Sequence, residues 1–360
     1  MMKSRLEKLR ERMKEKDGEI IRLLNERSEI SVRIGEVKGR EYIDVYDPSQ
    51  EARVYGYLQE LNCGPLPPAA VRAIFREIIS ASRDLQKPTI VAFLGPEASF
   101  SHLAAEQHFG KSCNFIPQPG IDCVFDELER GAIDWGVVPV ENSQEGSVNI
   151  TLDRLVLTPL KIRAEIYLRI SQCLISSARD LRSIKKIYSH PQALAQCRFW
   201  LKSNLPKCAL CEAESTAGAA QRVRGSKTAA AIGSSLAAAA SGLNILAEGI
   251  EDNPSNTTRF LVVGKGTSAA TAKDKTSLIF ATAHSPGSLH CALSPFAQRR
   301  INLIKIESHP VKERMWEYLF FVDIVGHTAE REVENCLAEL KEKTTFLKIL
   351  GSYPRAEGGL

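Results

Sequence analysis

The sequence predicts a multidomain chain: an all-α helical segment, an α/β segment with two lobes around a cleft, and an α+β tail of ferredoxin-like order. Three observations predict it. No proline interrupts the charged stretch from Lys3 to Lys38. Short apolar runs alternate with polar turns and helical stretches through residues 89–266. After a small, polar stretch at 267–274 that reads as a linker, the tail reads strand, helix, strand, strand, helix, strand. A chain of 360 residues has room for two or three domains, and these shifts put them at 1–87, 89–266 and 275–354.

In the first segment, Asp47-Pro48 reads as an N-cap followed by a first-turn proline, with Gln50 completing a capping box. A second helix is expected to end near Leu61, before Cys63-Gly64-Pro65, and a third to run from about Ala69 to Leu85, stopped by Lys87-Pro88. In the middle segment, Thr89–Leu94, Gly136–Val140, Ile187-Tyr188 and Ala229–Ile232 read as strands of a mostly parallel sheet. The longer apolar run Ala229–Ala240 also reads as a buried, tightly packed helix, too short to span a bilayer. In the tail, strands are expected at 277–282, 302–307, 318–325 and 346–351, and helices at 287–299 and 329–342.

Composition narrows the function. A net charge of +4 is small for this length; it argues against a nucleic-acid binder and suits anionic small substrates. Nine cysteines without framework spacing predict reduced thiols, and Cys208 and Cys211 read as strand residues rather than half of a zinc site. The charged N-terminal stretch lacks the apolar core of a signal peptide. The expected location is therefore the cytoplasm, with neither membrane nor nucleic acid as partner.

Along the first helix the apolar seam through Met13, Ile20, Leu24 and Ile34 also meets Asp17, Arg27, Ser31 and Lys38. Polar groups on a buried stripe need partners. Either they set the register of a coiled coil, or they bind an anion within a helical bundle. Arg27 and Lys38 share a face ~16 Å apart, close enough for two long side chains to meet on one ligand, whereas Arg10 stands ~26 Å from Arg27. Arg10 and Arg27 can serve one small ligand only if Arg10 comes from a second copy, which predicts a homodimer through the helical segment.

The set Leu9-Arg10, Asp17, Leu23-Leu24-x-x-Arg27, Val32-x-x-Gly35-x-x-Lys38, Asp47-x-x-x-Glu51 and Ile78-Ile79-x-x-Ser82-x-x-x-Gln86 resembles the all-helical chorismate mutase family across the whole first segment. The resemblance implies that Arg10 of the partner copy and Arg27 hold the carboxylates of chorismate, with Ser82 in support. It implies that Lys38 and Gln86 donate to the ether oxygen, and that Glu51 and Asp47 take the ring hydroxyl. Gln50 stands where the family usually has Arg.

Four polar turns mark the middle segment: Gly95–Ser101, Pro139–Ser143 with Gly146, Ser189–Gln192 with Gln196, and Asn256–Phe260. Each lies at the end or start of a strand, where ligands gather in open α/β sheets. Together they form a polar cleft that calls for no cofactor and no metal. With Thr151-Leu152-Asp153 and Thr258-Arg259-Phe260, they resemble the prephenate dehydratase family, whose expected fold is a two-lobed, periplasmic-binding-protein-like one. Ala98 and Ser99 replace the family's Gly-Thr. The resemblance implies that Thr258 donates a hydrogen bond to the departing hydroxyl of prephenate and that Asn142, Gln196, Ser189 and Glu141 line and orient the site. Ser99 and Ser143 are expected to bind substrate. Arg259 has two readings: a carboxylate ligand, or the partner of Asp252 or Glu251.

In the tail, Pro286-Gly287-Ser288-Leu289 and Ile306-Glu307-Ser308-His309-Pro310 resemble the motifs of the amino-acid-binding ACT regulatory domain, with His309 in place of the usual Arg. The resemblance implies that phenylalanine binds as effector near Gly287, Leu289, Asn302, Glu307 and Ser308. The other readings of this tail and of the cleft are an oligomerisation domain without ligand and a two-lobed solute binder. The expected assembly is a dimer or a tetramer.

Overall fold

The computed structural model describes residues 5–271, 273–310 and 318–356; Lys3, where the helical expectation begins, lies outside them. The chain forms two compact units: one of residues up to Asp47, Val54–Thr89 and Phe109–Asn114, the other of Pro48–Arg53, Ile90–His108 and the residues from Phe115 onward.

The first unit is built on helices α1 (Arg5–Glu41), α2 (Pro48–Leu61, its first turn counted with the second unit) and α3 (Pro68–Gln86). Pairs such as Lys16–Glu19 at 2.7 Å and Arg22–Glu26 at 2.5 Å support α1 locally, each by a few tenths of a kcal/mol. Proline at its first turn starts α3, and extended Lys87 ahead of Pro88 ends it. Gly35 lets α1 and α3 approach, since a Cβ there would stand 2.8 Å from the Gln86 side chain. Within α1 only Ser31 is buried, while Leu9, Met13, Ile20, Leu23, Ile30 and Ile34 are exposed.

The strands of the second unit begin with β1 (Ile90–Leu94), β2 (Asn114–Gln118), β3 (Trp135–Asn142), β4 (Gly146–Ser147) and β5 (Lys161–Arg169). Next come β6 (Cys173–Ser176), β7 (Lys186–Ser189), β8 (Ala209–Glu212), β9 (Ala229–Gly233), β10 (Asn244–Glu248) and β11 (Thr257–Gly264). They form two sheets, β2-β1-β3-β11-β5 with β4 beside β3, and β10-β6-β9-β7-β8. The expected mostly parallel sheet is corrected to mixed ones. β1–β3, β7–β8 and β7–β9 are parallel, but β11 runs antiparallel to both β3 and β5, and β6 to both β9 and β10. An apolar run does not encode its direction; that is set by where the chain re-enters the first sheet after building the second. The run Ala229–Ala240 divides into β9 and a helix from Ser235, with the Ser234 hydroxyl accepting from Ala237 N–H at 3.0 Å.

The tail supplies β12 (Asp274–Ala281), β13 (Leu303–Pro310), β14 (Tyr318–Val325) and β15 (Phe346–Pro354) in an antiparallel sheet ordered β13-β14-β12-β15. Helices Ser288–Gln298 and Arg331–Glu342 pack on it through Phe296, Val333, Cys336 and Leu340. The strand–helix order matches the expectation. The linker expected at 267–274, of which Ala272 lies outside the described residues, is tied down at both ends: Asp274 opens β12, and buried Ser268 accepts from Arg163 Nε at 3.1 Å. Ile279, Phe321, Leu350 and Tyr353 of the tail share one core with Val138, Ile162 and Leu261. No helix among the described residues is long and apolar enough to cross a membrane.

Candidate active sites

In the helical unit, Arg27 donates to the Ser82 hydroxyl, which donates to Ile78 C=O at 2.7 Å. Ser31 donates its single hydrogen to Ser82 C=O at 3.1 Å, so it accepts from Gln86 Nε2 at 2.7 Å, and this fixes the orientation of the Gln86 amide. Burial lowers the Arg27 pKa from its ordinary value. Lys38 caps the loop after α1, donating to the carbonyls of Asp44 at 3.1 Å and Val45 at 2.9 Å. The structure therefore brings together Arg27, Ser82 and Gln86 of the expected mutase set. Arg10 is exposed on α1, ~26 Å along the helix axis from Arg27. Asp47 occupies the N-cap position of α2 and Glu51 its first turn.

The second unit holds a cleft of about 290 Å³ between the two sheets. Its lining includes Ser99, Asn142, Gln196, Asn256 and Thr258. Asn142 is the organising group. Its Oδ1 accepts from the backbone N–H of Gln144 at 2.9 Å and Glu145 at 3.3 Å. The amide nitrogen must then face the other way, and it donates to Asn256 Oδ1 at 3.0 Å and to Thr258 Oγ1 at 2.8 Å. With a donor already on its oxygen, the Thr258 hydroxyl keeps its own hydrogen for another acceptor. Ser99 donates to Leu94 C=O at 3.1 Å. Ala98, in the family's glycine position, has φ of 62°, the left-handed region that glycine enters freely.

Four residues expected at this cleft stand elsewhere. Strand side chains alternate, so Glu141 and Arg259, adjacent to Asn142 and Thr258, point to the opposite face and line a separate cavity of about 410 Å³. Arg259 pairs neither with Asp252 nor with Glu251. It meets Glu165 at 3.0 Å and Asp323 at 2.6 Å, whereas Asp252 caps the helix at Phe199 and Trp200, and Glu251 accepts from Gln172 N–H at 2.8 Å. Ser143 ties the end of β3 to the start of β11, its hydroxyl accepting from Thr257 N–H at 3.0 Å. Ser189 is fully buried behind the cleft and donates to Ile232 C=O at 2.8 Å.

The sequence reading placed Asn256 and Gln192 in cleft-forming turns without assigning them a role, and it missed Gln172 and Glu214; all four line the cleft. Asn256 Nδ2 and Gln172 Oε1 are buried without a hydrogen-bond partner among the described residues, the state of groups that await a ligand. Position just ahead of Thr258 was the available signal for Asn256; Gln172 carried none, since nothing near it forms a motif.

In the tail, a cavity of about 380 Å³ is lined by Thr282, Ser285, Ser288, Leu289, Tyr318 and Phe320, among others. Gly287 begins the adjoining helix with φ of 81°. Ser308 pairs across the sheet with Phe320 and so shares the face of this cavity. Glu307 points to the other face, 2.9 Å from Lys305, and Asn302 contributes its carbonyl to Val325 N–H at 2.9 Å. Buried His309 meets Asp153 at 2.8 Å.

Profiles of three families match the chain in series: chorismate mutase type II at residues 9–87, prephenate dehydratase at 91–268 and the ACT domain at 276–342. The bifunctional chorismate mutase/prephenate dehydratase of Aquifex aeolicus is 46% identical over 355 residues, covering 98% of each chain. That of Neisseria gonorrhoeae is 43% identical and covers 94% of each. Among solved structures, the prephenate dehydratase of Arthrobacter aurescens in complex with L-Phe superposes with a TM-score of 0.69 at 35% identity, over 75% of this chain and 91% of that one.

Proposed function

Since the chain belongs to the bifunctional chorismate mutase/prephenate dehydratase family, we propose that its helical unit rearranges chorismate to prephenate and that its cleft converts prephenate to phenylpyruvate, carbon dioxide and water, under feedback by phenylalanine. The observation that carries the second step is the hydrogen bond from Asn142 to Thr258.

The rearrangement is pericyclic: one C–O bond breaks as one C–C bond forms, and no nucleophile is needed. The protein holds the dianion compact and places positive charge where the ether oxygen becomes negative. Arg27, steadied by Ser82, takes one carboxylate. Lys38 and the second N–H of Gln86 face the ether oxygen, Glu51 and Asp47 the ring hydroxyl. Arg10 of a second copy takes the other carboxylate, and the exposed apolar side chains of α1 support that homodimer. Association into tetramers is compatible with the same contacts.

In dehydration the ring C–carboxylate bond breaks, its electron pair enters the ring, and the C–O bond of the ring hydroxyl breaks in turn. The departing hydroxide takes a proton and leaves as water. Thr258, oriented by Asn142, donates to that oxygen as its charge grows. A neutral threonine stabilises the leaving oxygen without surrendering its proton, so solvent supplies it. Gln196, Ser99 and the unpartnered amide of Asn256 are the groups that hold the substrate in place.

Phenylalanine is the proposed effector in the tail, where Leu289, Tyr318 and Phe320 offer an apolar pocket beside Gly287 and Ser308; the Arthrobacter relative holds L-Phe. Nine free thiols suit the reducing cytoplasm. The deciding experiment supplies chorismate to the full chain and follows prephenate and phenylpyruvate against a control without protein. Accumulation of both products supports the reading; a rate equal to the control overturns it.

A further inference from the structure

The back face of the cleft carries four charges in two cross-strand pairs. On the dehydratase side, Arg259 of β11 lies directly opposite Glu141 of β3, one step along from the pair Thr258 and Asn142 that faces the cleft. On the regulatory side, Lys305 of β13 lies directly opposite Asp323 of β14. The two pairs meet with opposite signs facing: Arg259 to Asp323 at 2.6 Å, and Lys305 to Glu141 at 2.8 Å.

Within this quartet the Arg259–Asp323 pair is the buried one. Burial alone would raise the Asp323 carboxyl, but Arg259 and Lys275 beside it and the Ser277 hydroxyl bring it below its ordinary value. Glu165, buried and shared by Arg259 and Lys275 at 3.0 and 2.8 Å, completes the cage, and Tyr353 accepts from Arg259 at 3.1 Å. A buried charge that loses its partner must move or draw in water. A bulge breaks the β3–β11 register immediately beyond Arg259, and bulges beside sites aim side chains.

We propose that Glu141 and Arg259 are positioning residues: clamped on Lys305 and Asp323 of the regulatory sheet, they set the strand geometry that aims Asn142 and Thr258 into the cleft. Two signature stretches of the dehydratase segment, Glu141-Asn142 and Thr258-Arg259, thus each serve the cleft with one residue and the regulatory domain with its neighbour. Lys305 is also 2.9 Å from Glu307, so whatever draws Glu307 away changes the partner list of Lys305, the cation that clamps Glu141. This inference rests on the dehydratase reading of the cleft.

The test uses the full chain with Lys305→Met, Asp323→Asn, Glu141→Gln and the double variant Lys305→Met/Glu141→Gln, assayed with prephenate and, separately, with chorismate. Misaiming one donor lowers kcat by about tenfold while KM for prephenate stays within about twofold, and the mutase rate is unchanged. The double variant is no slower than the worse single, because both remove one contact. Should Asp323→Asn fail to fold, Lys305→Met still decides, since its ammonium lies at the partly exposed end of the quartet. A folded Lys305→Met with a lower unfolding temperature but unchanged kcat, or strictly additive losses in the double variant, overturns the proposal. Wild-type protein inert toward prephenate would instead overturn the dehydratase reading itself.

Discussion

Asn142 Nδ2 stands 2.8 Å from Thr258 Oγ1 and donates to it, held in that orientation by two backbone N–H groups on its own oxygen. The Thr258 hydroxyl is therefore aimed before any substrate arrives. Thr258→Val keeps the shape and removes the donor; Thr258→Ser keeps the donor and removes a methyl. Turnover of prephenate should fall on the order of a hundredfold in the valine variant, the usual cost of a lost preorganised donor. The serine variant should stay well above it, with KM little changed in both. Equal turnover by valine and wild type would reduce Thr258 to a turn residue.

Arg27, Lys38, Ser82 and Gln86 belong to the helical unit, with Arg27 and Ser82 in contact. Arg27→Ala or Lys38→Ala should abolish prephenate formation from chorismate and leave dehydration of supplied prephenate intact. Arg10 lies ~26 Å along the helix from Arg27. Mixing Arg10→Ala with Arg27→Ala subunits should thus restore part of the mutase activity, because each mixed dimer regains one intact site. Verified heterodimers without any recovery would refute the shared site.

Asp323 links charge to stability. Its folded carboxyl titrates below the ordinary 3.8 despite burial, chiefly because of Arg259 and Lys275. A depressed folded value means that the stabilisation is fully present above the unfolded value and is lost as pH falls through the folded one. Urea midpoints of the wild type should fall more steeply than those of Asp323→Asn between about pH 5 and about pH 2. Parallel curves would show that the Asp323 charge contributes nothing to folding.

The effector cavity makes a separate prediction. Leu289 lines it, and a long cation there fills it. Leu289→Arg should keep both activities within about twofold, as surface changes usually do, and lose inhibition by phenylalanine. Feedback requires an effector to favour one of two states, so undiminished inhibition in this variant would place the sensor elsewhere, the cleft being the first alternative.

By itself the sequence determined the helices bounded by Pro48, Pro68 and Pro88, the alternation of the tail, and the stretches that reach the cleft, because capping, proline geometry and hydrophobic period are local properties. It placed Asn142 and Thr258 in one stretch each, yet only the tertiary structure paired them. Strand direction and register join residues 116 positions apart, and neither is written in an apolar run. For the same reason Glu141 and Arg259 looked like cleft residues beside their neighbours; the two-residue period of β3 and β11 turns them to the other face once register is fixed. The polar stretch at 267–274 looked like a flexible joint. Packing decided otherwise: Ser268 is buried, Asp274 opens β12, and Tyr353 and Ile279 share one core with the dehydratase strands.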